Sequence, residues 1–226
     1  MYLPPHFEES RPEVLHAFIR KYPLGLLVTH DGSGLQADPI PFMLEPERGP
    51  HGTLIAHVAR ANPLWRESRT DIESMVVFQG PQAYISPAWY ATKQETGKVV
   101  PTWNYCVVQA RGRLRVIDDP AWVHRLVSRL TDRHEAARAG LPSAPWKVTD
   151  APDDYIASMQ RAIVGIEIEL TALQGKWKLS QNRSEADRAG VVAGLAQQGA
   201  DEAGAVVTTL VAAPLATPLA TPGRST

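Results

Sequence analysis

Hydrophobic positions along this chain switch between a helical and an alternating period, and the switches divide it into elements. Leu15, Phe18 and Ile19 recur at helical spacing behind Ser10 and Glu13, a Ser-x-x-Glu pattern that predicts a capping box. Tyr22-Pro23 ends that helix. Residues 24–30 are an apolar run that predicts a buried strand. Asp31-Gly32-Ser33-Gly34 predicts a turn, and residues 35–44 the returning strand. Pro39 and Pro41 in that strand lack amide donors, which predicts an edge, a bulge or a backbone turned towards a ligand. Residues 53–58 read as a third strand. Asn62-Pro63 opens a short helix to residue 69, with Asn62 as its N-cap. Residues 73–79 and 82–86 predict strands on either side of Gly80-Pro81. Residues 99–117 predict a long β-rich segment with a bulge at Gly112. Asp118-Asp119-Pro120 caps a helix whose apolar face is Trp122, Val123, Leu126, Val127 and Leu130. After a loop over residues 146–152, Asp153 caps another helix and residues 163–170 form a strand. Ser184 opens a last helix to residue 195, with Glu185 and Asp187 in its first turn.

Strands that do not alternate with helices, joined by short turns, predict a mainly β protein with peripheral helices. The sheet is expected to be an antiparallel barrel, not a parallel βαβ array. Residues 1–195 read as one domain ending in a helix. From Ala196 the chain turns to Ala, Gly, Thr and Pro, with Pro-Leu-Ala-Thr repeated at Pro214 and Pro218. Residues 196–226 therefore predict a low-complexity, disordered tail, within which residues 205–213 are apolar enough for a short strand or helix.

Charge and cysteine content narrow the function classes. A formal net charge of -1 over 226 residues gives no support to nucleic-acid or membrane-surface binding, and DNA binding would need a local basic patch. Cys106 is the single cysteine, so no intrachain disulfide forms. With no basic and apolar leader and no run near the ~18 apolar residues of a membrane span, the expectation is a cytoplasmic protein with no membrane association. The seven histidines have no metal-binding spacing. Gly97-Lys98 lacks the rest of a phosphate loop, and Gly32-Ser33-Gly34 lacks the third glycine of a dinucleotide fingerprint.

The informative chemistry sits in two segments. Aromatics make up only 7% of the chain, yet Tyr84, Trp89, Tyr90, Trp103 and Tyr105 fall close together with Ser86, Lys98, Thr102 and Asn104. That mixture suits a pocket for a flat ligand with a polar edge. The second segment, residues 175–183, adds Lys176, Lys178 and Arg183 around Trp177, which an anionic ligand would need.

Met-Tyr-x-Pro-x-His-Phe at the start, residues 57–63 (HVARANP), residues 80–87 (GPQAYISP), residues 97–105 (GKVVPTWNY) and residues 175–183 resemble the PaiB-like family, described as FMN-binding negative transcriptional regulators. The resemblance covers residues 1–195 in order. It implies an FMN-binding split β-barrel related to the pyridoxamine phosphate oxidase-like flavoproteins. It also implies a homodimer with the flavin between two barrels, and repression of bacterial protease and sporulation genes. No helix-turn-helix pattern or basic recognition helix accompanies it.

FMN asks for cations or amides at its phosphate and for donors and acceptors along its ring edge. Arg60 and Asn62, at a strand end and helix start, are candidates for the phosphate, with His57 and Ala59 on the same strand end. The alternative is that Arg60 is solvated and Asn62 only caps. Pro39, Ile40 and Pro41 are candidates for the ring edge, or an ordinary protected edge strand. Thr102, Trp103 and Asn104 are candidates for the ring or ribityl chain, or dimer-core aromatics and a satisfied amide. Lys176, Lys178 and Arg183 are candidates for phosphate capture across a dimer, a second ligand or a docking surface, against a plain turn before the last helix. Three functions stay open: an FMN-binding repressor, a flavin-dependent oxidoreductase or haem-handling enzyme, and an interaction module without cofactor.

Overall fold

The computed structural model describes residues 1–137, 143–197 and 202–212. In chain order the strands and helices are β1 (Glu8–Glu9), α1 (Pro12–Lys21), β2 (Leu24–His30), β3 (Leu35–Pro41), β4 (Met43–Glu45), β5 (Thr53–Ala59), α2 (Leu64–Glu67), β6 (Ser74–Ile85), α3 (Ala91–Thr96), β7 (Thr102–Ile117), α4 (Pro120–Ala136), α5 (Asp153–Arg161), β8 (Ile163–Lys178), α6 (Glu185–Gln197) and α7 (Glu202–Ala212). They form an eight-stranded sheet in the order β3-β2-β6-β7-β8-β5-β4, with β1 added against β8. Pairing is antiparallel for β1–β8, β2–β3, β2–β6, β4–β5 and β5–β8. The fold class is mainly antiparallel β with peripheral helices.

The chain forms two compact units. The larger comprises Arg11–Phe78 and Val108–Leu173, the smaller Met1–Ser10, Gln79–Val107 and Gln174–Thr226. In the larger unit, α4 starts at Asp119, whose carboxylate accepts from Ala121 N at 2.9 Å, and Pro120 fits its first turn. Its buried Leu126 and Leu130 pack with Met43 of β4 and Ile55 of β5, and Trp122 closes the cluster. Strand β5 is buried on both faces over most of its length, which explains its unbroken apolar run. In the smaller unit α3, α6, α7 and a 3-10 turn, Pro87–Trp89, pack together. Asp187 of α6 is buried. Its carboxylate accepts from Thr92 N at 2.9 Å and Thr92 Oγ1 at 2.8 Å, tying α3 to α6.

Several sequence expectations need correction. The Ser10–Glu13 capping box does not form: α1 begins after Arg11 with Pro12 in its first turn and no side-chain cap. Residues 24–30 are a strand, but only one face is buried, because Leu24 and Leu26 point to the open side. Residues 35–44 split at Phe42 into β3 and β4, and the helix after Asn62 is shorter than expected. The two strands expected over residues 73–79 and 82–86 are one, β6, which runs from Ser74 to Ile85 through Gly80-Pro81. Gly112 is not a bulge. Burial alternates without a phase change from Asn104 through Leu114, whereas an extra residue would invert it. Asp153 is the first residue of α5 and Pro152 its cap, and β8 runs on to Lys178.

In the stretch expected to be a tail, α6 extends to Gln197 and residues 202–212 form α7. Val207 and Val211 of α7 are buried, and Val211 O accepts from Arg188 at 2.5 Å. The Pro-Leu-Ala-Thr repeats lie outside the described residues. Among the described residues no helix is long and apolar enough to cross a membrane, and no group of His, Cys, Asp or Glu could hold a metal ion.

Candidate functional site

The alternation of β7 decides what its first residues can do. Asn104 lies in phase with the core face and is buried, so Trp103 and Tyr105 face the other way, and Trp103 is 52% exposed. Asn104 Nδ2 donates to Ser180 Oγ at 3.0 Å, and that hydroxyl lies 3.3 Å from Asn104 Oδ1. Ser180 takes a left-handed backbone with φ 65°. This turns the chain sharply after β8, and Arg183 N closes the turn on Ser180 O at 3.0 Å. Gln181 braces the same turn, accepting from Leu179 N at 2.6 Å and donating to Trp177 O at 2.5 Å.

Three cations gather at this turn. Lys178 Nζ donates to Thr102 Oγ1 and, at 2.6 Å, to Trp103 O. Lys176 is buried, donates to Tyr2 O at 2.9 Å, and lies 5.5 Å and 5.6 Å from the ring centres of Tyr2 and Tyr105. The Arg183 guanidinium lies over the Tyr90 ring at 4.7 Å. Among the described residues none of the three is ion-paired with a carboxylate. Burial, then the charges of Lys176 and Arg183, hold the Lys178 ammonium below the usual lysine range. Tyr90 is 1% exposed and its hydroxyl has no hydrogen-bond partner. The same unit carries a hollow of about 400 Å3 lined by Gln79, Gly80, Gln82, Trp103, Tyr105, Cys106 and Val107. Burial pushes the Cys106 thiol up to about 12, so it acts there as a small apolar group.

The other candidates all lie in the larger unit. Arg60 is occupied: its guanidinium makes a two-point pair with Asp118 at 2.6 Å and 2.9 Å and donates to Arg161 O and Ile163 O. Asn62 accepts from Leu64 N at 2.9 Å and donates to Asp38 Oδ1 at 3.0 Å. Burial holds the imidazole of His57, mid-strand in β5, below the usual histidine range, and its Nδ1 has no partner. Ala59 ends β5 opposite Ile163. Pro39 and Pro41 face outward on β3, a strand at the end of the sheet order, opposite Leu26 and Leu24, while Ile40 points to the buried face. The structure thus brings Thr102, Trp103, Asn104, Lys176, Lys178 and Arg183 into one unit. It places Pro39, Ile40, Pro41, His57, Ala59, Arg60 and Asn62 in the other.

Gln79 and Gln82 were not singled out as ligand residues by sequence. An amide within a strand gives no periodic signal, and the two glutamines are both exposed only because the burial alternation of β6 shifts phase at Gly80-Pro81.

The family model described as "Putative FMN-binding domain" matches residues 1–172. The chain belongs to this family. Within reach of the FMN-binding family's chain are a protein of Emericella nidulans, 35% identical over 93% of this chain and 96% of its own, and a Bacillus subtilis protein. The latter, protease synthase and sporulation protein PAI 2, is 30% identical over 85% of this chain and 87% of its own. The solved structure of the flavocytochrome Anf3 from Azotobacter vinelandii has a TM-score of 0.54 at 15% identity, covering 81% of this chain and 75% of that one. That likeness concerns the fold, which is the flavin-binding split barrel. The cofactor of the family is FMN, and the cation group at β8 fits it. Three cations that form no ion pair among the described residues and a threonine hydroxyl match a phosphate dianion better than any neutral ligand. The Arg60 end does not, because its charge is already matched by Asp118.

Proposed function

We propose that this protein is a dimeric FMN-binding regulator of the PaiB type. In this reading Lys176, Lys178 and Arg183 hold the FMN phosphate, and Trp103, Tyr105, Gln79 and Gln82 receive its ring. The observation that carries the reading is the cation group without a carboxylate partner, set beside an aromatic and amide-lined hollow in the same unit. Lys176 joins the two, since it sits against the Tyr105 ring. Bound FMN supplies redox chemistry on its ring. The chain's own residues bind the anion, stack on the ring and offer amides to its polar edge. Arg60, Asn62 and His57 serve the fold.

The test is direct. Purified protein titrated into FMN is expected to quench flavin fluorescence at micromolar concentration, roughly -7 to -8 kcal/mol. No quenching at tens of micromolar would remove the reading.

Dimerisation is supported by an apolar sheet face whose outer positions are exposed. Leu24, Leu26 and Val28 pair across the ladder with Pro41, Pro39 and Ala37, and Leu26 and Val28 also oppose Val77 and Met75 of β6. Leu24 is 62% exposed, Leu26 41% and Leu35 74%. No charged side chain interrupts these positions, so a second copy of the same face is the fitting cover. The prolines of β3 remove edge donors, which favours face-to-face over edge-to-edge association. Leu26→Glu is expected to weaken self-association by about 100-fold or more, since an unpaired carboxylate would be buried. Light scattering after gel filtration reads this; a variant that stays dimeric at the same concentration excludes this face.

The transcriptional role rests on the resemblance to PaiB-like regulators, and the likeness to protease synthase and sporulation protein PAI 2 of Bacillus subtilis supports that placement. With a net charge of -1, the chain suits an indirect route better than a broad phosphate-contacting surface. A sequence-dependent gel shift that persists at physiological salt would overturn the indirect route. NADH-driven turnover above that of free FMN would favour an oxidoreductase instead.

A further inference from the structure

Among the described residues Ser180 is the single non-glycine with a positive φ, 65°. Glycine takes that backbone freely, whereas a Cβ makes it costly, so a serine there implies a use for its hydroxyl. The hydroxyl is buried against Asn104, the two residues being 4% and 1% exposed. Asn104 Nδ2 donates to Ser180 Oγ at 3.0 Å, and Ser180 Oγ donates to Asn104 Oδ1 at 3.3 Å. Side chains this enclosed suit a bracing role better than direct contact with a ligand. The residues on either side of Ser180 carry charge. Lys178, two positions earlier, reaches Thr102 Oγ1 and Trp103 O at the start of β7. Arg183, three positions later, has its amide on Ser180 O at 3.0 Å and its guanidinium over the Tyr90 ring. The charges of Lys176 and Arg183 act on the Lys178 ammonium, so the three cations are close enough to repel one another. Without an anion that repulsion tends to open the turn. The neutral, buried Asn104–Ser180 contact is placed to oppose it.

We propose that Asn104 and Ser180 form a clamp that holds Lys178 and Arg183 in place for one phosphate group. The inference rests on the assignment of these cations to the FMN phosphate. Both clamp members are positioning residues, since they act on the chain that carries the cations and not on the ligand. Asn104 ties the turn to β7, the strand that also offers Thr102 and Trp103 to Lys178, so the two segments are joined at two points. The left-handed residue reverses the chain between the two cations. An extended residue at 180 would continue β8 and carry Arg183 about 10 Å past Ser180.

The test compares FMN with riboflavin, which has the same ring and ribityl chain but no phosphate. The ratio of their affinities for the full chain, read from flavin fluorescence titrations, isolates the phosphate contacts. In Ser180→Gly the left-handed backbone stays allowed and only the clamp is lost. Its FMN affinity is expected to fall about tenfold, the weakening of a charge-assisted hydrogen bond, with riboflavin affinity unchanged. The double variant Asn104→Leu, Ser180→Gly removes both polar partners, so no buried amide is left unpaired. Its melting temperature is expected to exceed that of Ser180→Gly, while its FMN-to-riboflavin ratio stays equally low. A pair that only stabilised the fold would weaken both flavins alike, or regain FMN affinity together with melting temperature, and either result would overturn the clamp. If one clamp variant does not fold, the other decides. Lys178→Met separates the clamp from the reading beneath it. A collapsed ratio in Lys178→Met, with the parent ratio kept in the clamp variants, would overturn the clamp alone. Equal affinities for FMN and riboflavin in the parent protein would remove the phosphate assignment, and the clamp with it.

Discussion

Lys178→Met is expected to weaken FMN binding by about 10- to 100-fold, the loss of one charge-assisted hydrogen bond to phosphate. The lysine is well placed for that role because its ammonium is already fixed by Thr102 Oγ1 and Trp103 O, so little freedom is lost when an anion arrives. Without the anion, its charge is a burden. Burial and the neighbouring Lys176 and Arg183 charges disfavour the ammonium, which lowers its pKa. The sign follows: in the free protein the protonated form loses ground at a lower pH than in an ordinary lysine. FMN affinity should therefore fall as pH rises through that depressed value, and this alkaline loss should vanish in Lys178→Met. Removing the charge should also leave the FMN-free protein as stable as before, or more so, while affinity drops. A residue that only shapes the turn would lose stability and affinity together. Flavin fluorescence titrations between pH 7 and 10, paired with thermal melts, separate the two; an unchanged affinity in Lys178→Met would end the phosphate assignment.

Local rules made much of this fold legible. The Asp31-Gly32-Ser33-Gly34 turn announces the β2–β3 hairpin because Asp31 can accept from the amides that follow it, as it does. Asp119-Pro120 announces α4 for the same kind of reason. What escaped depends on partners distant in sequence. Gly80-Pro81 reads as a break, yet β6 runs through it. Asp118 is remote from Arg60 in sequence, and the two meet only once β8 has β5 on one side and β7 on the other. The candidate site divides likewise. Residues 102–104 and 176–183 stand out separately, but the Asn104–Ser180 and Thr102–Lys178 bonds that join them belong to the tertiary fold.

Gly112→Ala should have the largest effect on stability of any single methyl added to this chain's strands. A Cβ there would lie 2.0 Å from the carbonyl oxygen of Glu169 and 2.9 Å from Ile168 Cγ2. The first clash is with backbone, so no side-chain rotation relieves it. Nor can β8 yield easily: Glu169 and Ile168 are registered against Thr53 and Leu54 of β5, and Ile166 and Ile168 are fully buried. Moving β8 away from β7 would open that core or slip the ladder, and a one-residue slip would turn Ile166 and Ile168 outward. The expected cost is about 3 kcal/mol, at the upper end for overpacking. With a urea slope of roughly 2 kcal/mol/M, the unfolding midpoint should fall by about 1.5 M. Gly34→Ala is the control. Nothing lies within 4 Å of its Cβ, and its amide still reaches Asp31, so its midpoint should stay within about 0.3 M of the parent. Equal midpoints for the two variants would mean that β7 and β8 do not approach as closely at Gly112 as this structure places them.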